Sequence, residues 1–197
     1  MRRLLFVSLA LGCLHCSKPE PPRPDPAAAQ TPPPSATATT AQAGQAGAAK
    51  ADSIQVGSLA PDVTFHLQDG REVKLSSLRG KFVAVYFYPA DATTGCTIEA
   101  QGMRDNWEAL QAAGITVIGV SAQDAESHKA FIAKEKLPYD LAVDGDGALA
   151  KAFEVPMKGT YASRQTILVG KDGKVARVWR QVSPSGHAGE ILAAAAH

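Results

Sequence analysis

One thiol, Cys96, stands in the body of this 197-residue chain, directly after the apolar run Phe82–Tyr88 and the segment Pro89-Ala90-Asp91-Ala92-Thr93-Thr94-Gly95. A helical pattern, Thr97 to Ala112, begins immediately behind it and ends at Gly114. A cysteine in the first turn of a helix meets unpaired backbone N–H groups and the positive end of the helix dipole. Both favour negative charge on sulfur, and the thiolate is the nucleophilic form. Pro89 ends the strand. Thr93 sets a hydroxyl three residues before the sulfur. Gly95 lets the backbone pass close to a small bound molecule. By position alone, a lone cysteine is equally an inert small core residue.

The elements around Cys96 have to hold it at a strand-to-helix junction. Phe82–Tyr88 (FVAVYFY) and Ile115–Ser121 (ITVIGVS) read as strands buried on both faces. Val63–Leu67 and Glu72–Leu75 flank Gln68-Asp69-Gly70 and read as an N-terminal hairpin. Asp124–Lys136 reads as a helix capped by Asp124, Leu141–Asp144 as a short strand and Ala148–Phe153 as a short helix. Gln165–Gly170 and Lys174–Arg180 form a hairpin around Lys171-Asp172-Gly173, and Gly189–Ala196 closes with a helix. This order predicts an α/β fold, a central mixed β-sheet flanked by helices on both faces.

The N-terminal quarter has another character. Arg2-Arg3 precede an apolar run from Leu4 to Leu11, too short for a bilayer span of ~20 residues. Residues 1–16 therefore read as a signal peptide. Ala10-Leu11-Gly12-Cys13 resembles a lipobox, which makes Cys13 the expected lipidation site and places the protein at the cell envelope, facing the periplasm, as a membrane-anchored lipoprotein. Residues 17–52 are rich in Pro, Ala and Thr, hold no large apolar side chain, and read as a disordered linker. The domain is expected over 53–197. It carries 15 basic and 16 acidic residues, a balance with no electrostatic footprint for nucleic acid. A membrane partner is expected only through the lipid. One thiol in the domain excludes a disulfide framework inside it.

The segment Pro-x-x-x-Thr-x-x-Cys after an apolar strand resembles the peroxidatic-cysteine signature of peroxiredoxins. VGSLAPDVTFHLQDGREVKLSSLRGKFVAVYFYPADATTGCTIEAQGMRDNW is similar throughout to the bacterioferritin comigratory, or Q-type, branch, and Arg164–Val169 followed by Asp172-Gly173-Lys174 extends the match. The resemblance implies a thioredoxin-like fold and a thiol peroxidase that reduces hydrogen peroxide and organic hydroperoxides without a cofactor. It implies Cys96 as the attacking residue, Thr93 as a hydrogen-bonding partner of peroxide and sulfur, Arg164 as the group that holds the thiolate and polarises the leaving oxygen, and Pro89 as a shield. Many Q-type members carry a resolving cysteine five residues after the peroxidatic one; here that residue is Gln101. The expectation is a 1-Cys cycle closed by an external thiol reductant, a thioredoxin-like protein or a small thiol. Cys16, on its long linker, is a weaker candidate for that task.

Two other functions fit the same fold less well. An envelope thiol–disulfide oxidoreductase needs C-x-x-C, and Thr93 occupies the first position. A copper chaperone pairs C-x-x-x-C with a distant histidine, and Ala100 occupies the second cysteine position. His66, His128, His187 and His197 lack metal-ligand spacing and read as satisfied or exposed. Asp144-Gly145-Asp146-Gly147 reads as a turn, and Trp107 and Trp179 as packing residues. Glu99, one turn beyond Cys96, is open to two readings: a group that tunes the site, or a solvent-facing carboxylate.

Overall fold

The computed structural model describes residues 53–196. Cys13, Cys16, the signal-peptide reading and the linker reading lie outside these residues. Five strands form one sheet in the order β5-β4-β3-β8-β9: β3 (Phe82–Phe87), β4 (Ile115–Ser121), β5 (Asp140–Val143), β8 (Gln165–Val169) and β9 (Val175–Trp179). β3 runs parallel to β4 and antiparallel to β8, so the sheet is mixed. The pairs β1 (Thr64–His66) with β2 (Glu72–Lys74), and β6 (Met157–Lys158) with β7 (Tyr161–Ala162), are small antiparallel sheets of their own.

The apolar run of β3 divides by alternation, as the pleat requires. Val83, Val85 and Phe87 join one core cluster with Phe65, Leu149 and Phe153. Ala84, Tyr86 and Tyr88 join the other, with Cys96, Met103, Leu110, Phe131 and Ile191. The first face is thus covered by the β1–β2 pair and by α4 (Ala148–Ala152). The second is covered by α1 (Thr94–Asp105), α2 (Trp107–Ala112), α3 (Ala125–Glu135) and α5 (His187–Ala195). At Gly119 a Cβ would lie 2.6 Å from Leu141 and 2.7 Å from the Tyr86 ring, so this glycine lets the second face close.

Two boundaries differ from the expected ones. The helix after the cysteine starts at Thr94, three residues early, and breaks at Asn106, whose side-chain amide donates to the Gly102 carbonyl at 2.9 Å. Cys96 lies inside the first turn, as its chemistry requires. α3 begins where the cap predicts: Asp124 accepts from the Ser127 N–H at 2.9 Å. The β6–β7 pair was not foreseen. Its one local signal is Gly159-Thr160, with Gly159 at a φ of 61° that favours glycine.

Candidate active site

Topology brings the chemistry together at one sheet end. β3 delivers the chain through Pro89 into the loop that precedes α1. β8 runs antiparallel beside it, with Gln165 paired to Phe87, so Arg164 arrives at the same end. In this way residues 68 positions apart become neighbours: Arg164 Nη2 donates to Cys96 Sγ at 3.2 Å. Gly95 permits the approach, because a Cβ there would sit 3.2 Å from the same Nη2. Cys96 is 1% exposed and belongs to the core cluster on the second face of the sheet, with Ala100, Met103 and Tyr88.

The first intrahelical bond of α1 runs from Thr97 N–H to the Thr93 carbonyl at 2.8 Å. The N–H groups of Thr94, Gly95 and Cys96 precede it and have no partner within the helix. The Thr93 hydroxyl donates to the Ala90 carbonyl at 3.3 Å, which leaves its oxygen free to accept. Pro89 and Arg164 line a groove of about 450 Å³ together with Lys158, Tyr161, Ala162 and Ser163. Of the four residues singled out in the sequence, Pro89 and Arg164 share this groove and Thr93 is the N-cap of the helix that holds Cys96. Only Arg164 among the other three bonds the sulfur directly.

Glu99 was left open by the sequence, and its solvent-facing reading fails. The side chain is fully buried and pairs with Arg164 Nη1. Its other oxygen, Oε1, is buried with no hydrogen-bond partner among the described residues. Burial pushes the Glu99 carboxyl up to about 7, against the opposing pull of the Arg164 guanidinium. Arg164 loses charge preference to desolvation, but Glu99 and Cys96 more than restore it and hold the guanidinium above its ordinary value. One planar fork thus serves a carboxylate with one nitrogen and a sulfur with the other. Nothing local in the sequence marks this: position 99 looks outward until Arg164, 65 residues on, arrives beside it.

Gln101, where a resolving cysteine would stand, donates from Nε2 to Glu135 Oε2 at 2.8 Å and ties α1 to the end of α3. Arg104 adds a bond from Nη1 to the Glu135 carbonyl at 2.8 Å. His128 and His187 are buried and hydrogen-bonded rather than exposed.

Comparison with known proteins places these features in a family. The AhpC/TSA family matches residues 56–178. A chloroplastic peroxiredoxin Q of Oryza sativa subsp. japonica is 45% identical over 142 residues, covering 71% of this chain and 65% of the relative. Peroxiredoxin Bcp of Bacillus subtilis is 38% identical over 147 residues, covering 71% of this chain and 94% of the relative. The solved structure of Xanthomonas campestris peroxiredoxin Q superposes with a TM-score of 0.67 at 32% identity, over 73% of this chain and 95% of that one.

These relatives also correct the expected location. The Oryza sativa and Triticum aestivum relatives are named chloroplastic and the Bacillus subtilis one Bcp, and none of these is named an envelope lipoprotein. Among the described residues no helix is long and apolar enough to cross a membrane. The periplasm-facing, membrane-anchored reading rested on residues 1–16 alone. An eight-residue apolar run before a cysteine is a weak address, because its composition specifies neither a membrane nor a compartment.

Proposed function

The chain belongs to the AhpC/TSA family, and from that premise we propose that it is a thiol peroxidase whose attacking atom is Cys96 Sγ. The observation that carries this reading is the 3.2 Å contact from the Arg164 guanidinium to that sulfur, at a helix N-terminus beside an open groove. A hydroperoxide enters along Pro89 and Arg164. The sulfur attacks the terminal oxygen, a S–O bond forms, the O–O bond breaks, and Cys96 becomes a sulfenic acid while the departing alkoxide takes a proton. Arg164 and the free N–H groups of α1 stabilise charge as it moves from sulfur to oxygen. The free lone pair of the Thr93 hydroxyl accepts from the peroxide O–H, and Pro89 closes the pocket from one side.

The cycle is of the 1-Cys type. An external thiol condenses with the sulfenic acid, releasing water and leaving a mixed disulfide; a second thiol then restores Cys96. The support is that Gln101 fills the resolving position and is engaged with Glu135.

The test is peroxide consumption by the full chain and by Cys96→Ser, with mass spectrometry of the oxidised protein. We expect one sulfenic acid per chain at Cys96 and no catalysed consumption by the variant. Equal consumption by the two proteins sinks the proposal.

A further inference from the structure

The loop that presents Cys96 is fastened to the rest of the fold through one residue that peroxide chemistry does not use. Asp91, five residues before the sulfur, has a side chain only 6% exposed that accepts three side-chain donors. Tyr88 Oη reaches Oδ1 at 2.7 Å; Ser127 Oγ and His128 Nδ1 reach Oδ2 at 2.7 and 2.9 Å. Its own N–H donates to Gln123 Oε1 at 3.1 Å. His128 has 0% side-chain exposure, and its second nitrogen, Nε2, faces the Ala142 carbonyl of β5 at 3.2 Å.

Both acceptors are fixed in kind. A carbonyl only accepts, and an ionised carboxylate only accepts. Burial pushes the Asp91 carboxyl up, but the bonds from His128, Tyr88 and Ser127 outweigh it and hold the group below the usual carboxylate range. The arrangement is therefore complete only with a proton on each ring nitrogen. Next to Asp91, Ala92 takes a φ of 57°, a left-handed conformation that is strained for a non-glycine residue and persists only where its surroundings impose it.

We propose that Asp91 and an imidazolium form of His128 make a buried ion pair that positions the Cys96 loop, clamping Pro89–Gly95 to α3 and β5. The pair touches neither sulfur nor substrate; Asp91 and His128 are positioning residues. Losing either partner frees Ala92 to leave its strained conformation, and the first turn of α1 loses its fixed relation to Arg164. The functional consequence rests on the reading of Cys96 as the attacking residue.

Three measurements on the full chain test this, using wild type, Asp91→Asn, His128→Asn and the double variant. Nitrogen chemical shifts of His128 should show both ring nitrogens protonated in the folded protein. Amide exchange over residues 90–97 should accelerate in each single variant by more than exchange in β3. Oxidation of Cys96 by hydrogen peroxide, per folded chain, should slow by about 10-fold or more, since small misplacement of reacting groups is costly. The double variant should be no slower than the worse single one, because both remove one coupled unit. A neutral His128 ring, an unchanged loop exchange and rate in the folded variants, or losses that simply add would each overturn the ion pair. Should His128→Asn not fold, the near-isosteric Asp91→Asn decides alone. Peroxide consumption by Cys96→Ser at the wild-type rate would remove the proposed function, while the ring shifts and loop exchange still judge the clamp.

Discussion

Arg164 binds two different acceptors at once, and that sets what can replace it. Nη2 meets the sulfur and Nη1 meets Glu99. A lysine offers one point charge on a flexible stem and cannot hold both. Arg164→Lys should therefore slow Cys96 oxidation by about 100-fold, the size of losing a donor aimed at developing oxyanion charge. Stopped-flow oxidation by hydrogen peroxide measures it, and a loss under threefold contradicts the two-acceptor role. Glu99 carries a second prediction. Its carboxyl is raised from 4.5 to about 7, so the folded state holds this proton more tightly than the unfolded chain does. The resulting stabilisation is full below pH ~4.5 and is lost as pH rises through about 7. Across that window the wild type should lose up to roughly 3 kcal/mol relative to Glu99→Gln, which has no proton to lose. Urea unfolding of both proteins at pH 5 and pH 8 reads the difference, and parallel pH dependence would refute it.

At the scale of elements, α1 is built to stay wound. Cys96 and residue 101 are five apart on one helix, too far for a disulfide between Cα atoms that must come within about 7 Å. Gln101 and Arg104 also tie the helix to Glu135. Gln101→Cys should therefore form the 96–101 disulfide after peroxide treatment only with loss of α1 helicity, visible as reduced far-UV circular dichroism on oxidation. The wild type should show no such change. An oxidised variant with undiminished helicity would contradict this. The elements themselves were largely legible in the sequence. FVAVYFY and ITVIGVS read as strands buried on both faces, as β3 and β4 are, and Asp124 announced α3. The break at Asn106 was not legible, because a side-chain bond to the Gly102 carbonyl competes with helix continuation only once that carbonyl is in place. Of the candidate site, the place of Cys96 in the first turn of α1 followed from local pattern. The partnership of Arg164 with Glu99 did not, since it depends on β8 lying antiparallel to β3, a non-local choice that no window of sequence contains.

For the whole molecule, the question is where the electrons come from after the first turnover. Cys96 is the one cysteine among the described residues, and it is 1% exposed. Arg164, which bonds that sulfur, also lines a groove of about 450 Å³, large enough to admit a small thiol. Without reductant, the chain should consume one equivalent of peroxide and stop; with a small thiol such as dithiothreitol it should turn over many times. Replacing Cys13 and Cys16 with serine should leave that turnover unchanged, because neither is needed when the reductant is external. Peroxide titration by absorbance on the wild type and on the Cys13→Ser/Cys16→Ser chain measures both numbers. Repeated turnover by the wild type without added thiol, abolished in the double-serine chain, would move the resolving step into the protein itself. The contrary result, one equivalent for both proteins, fixes the chain as half of a redox pair: its fold supplies the oxidised sulfur, and its partner is defined by the ability to bring a thiol to a buried atom.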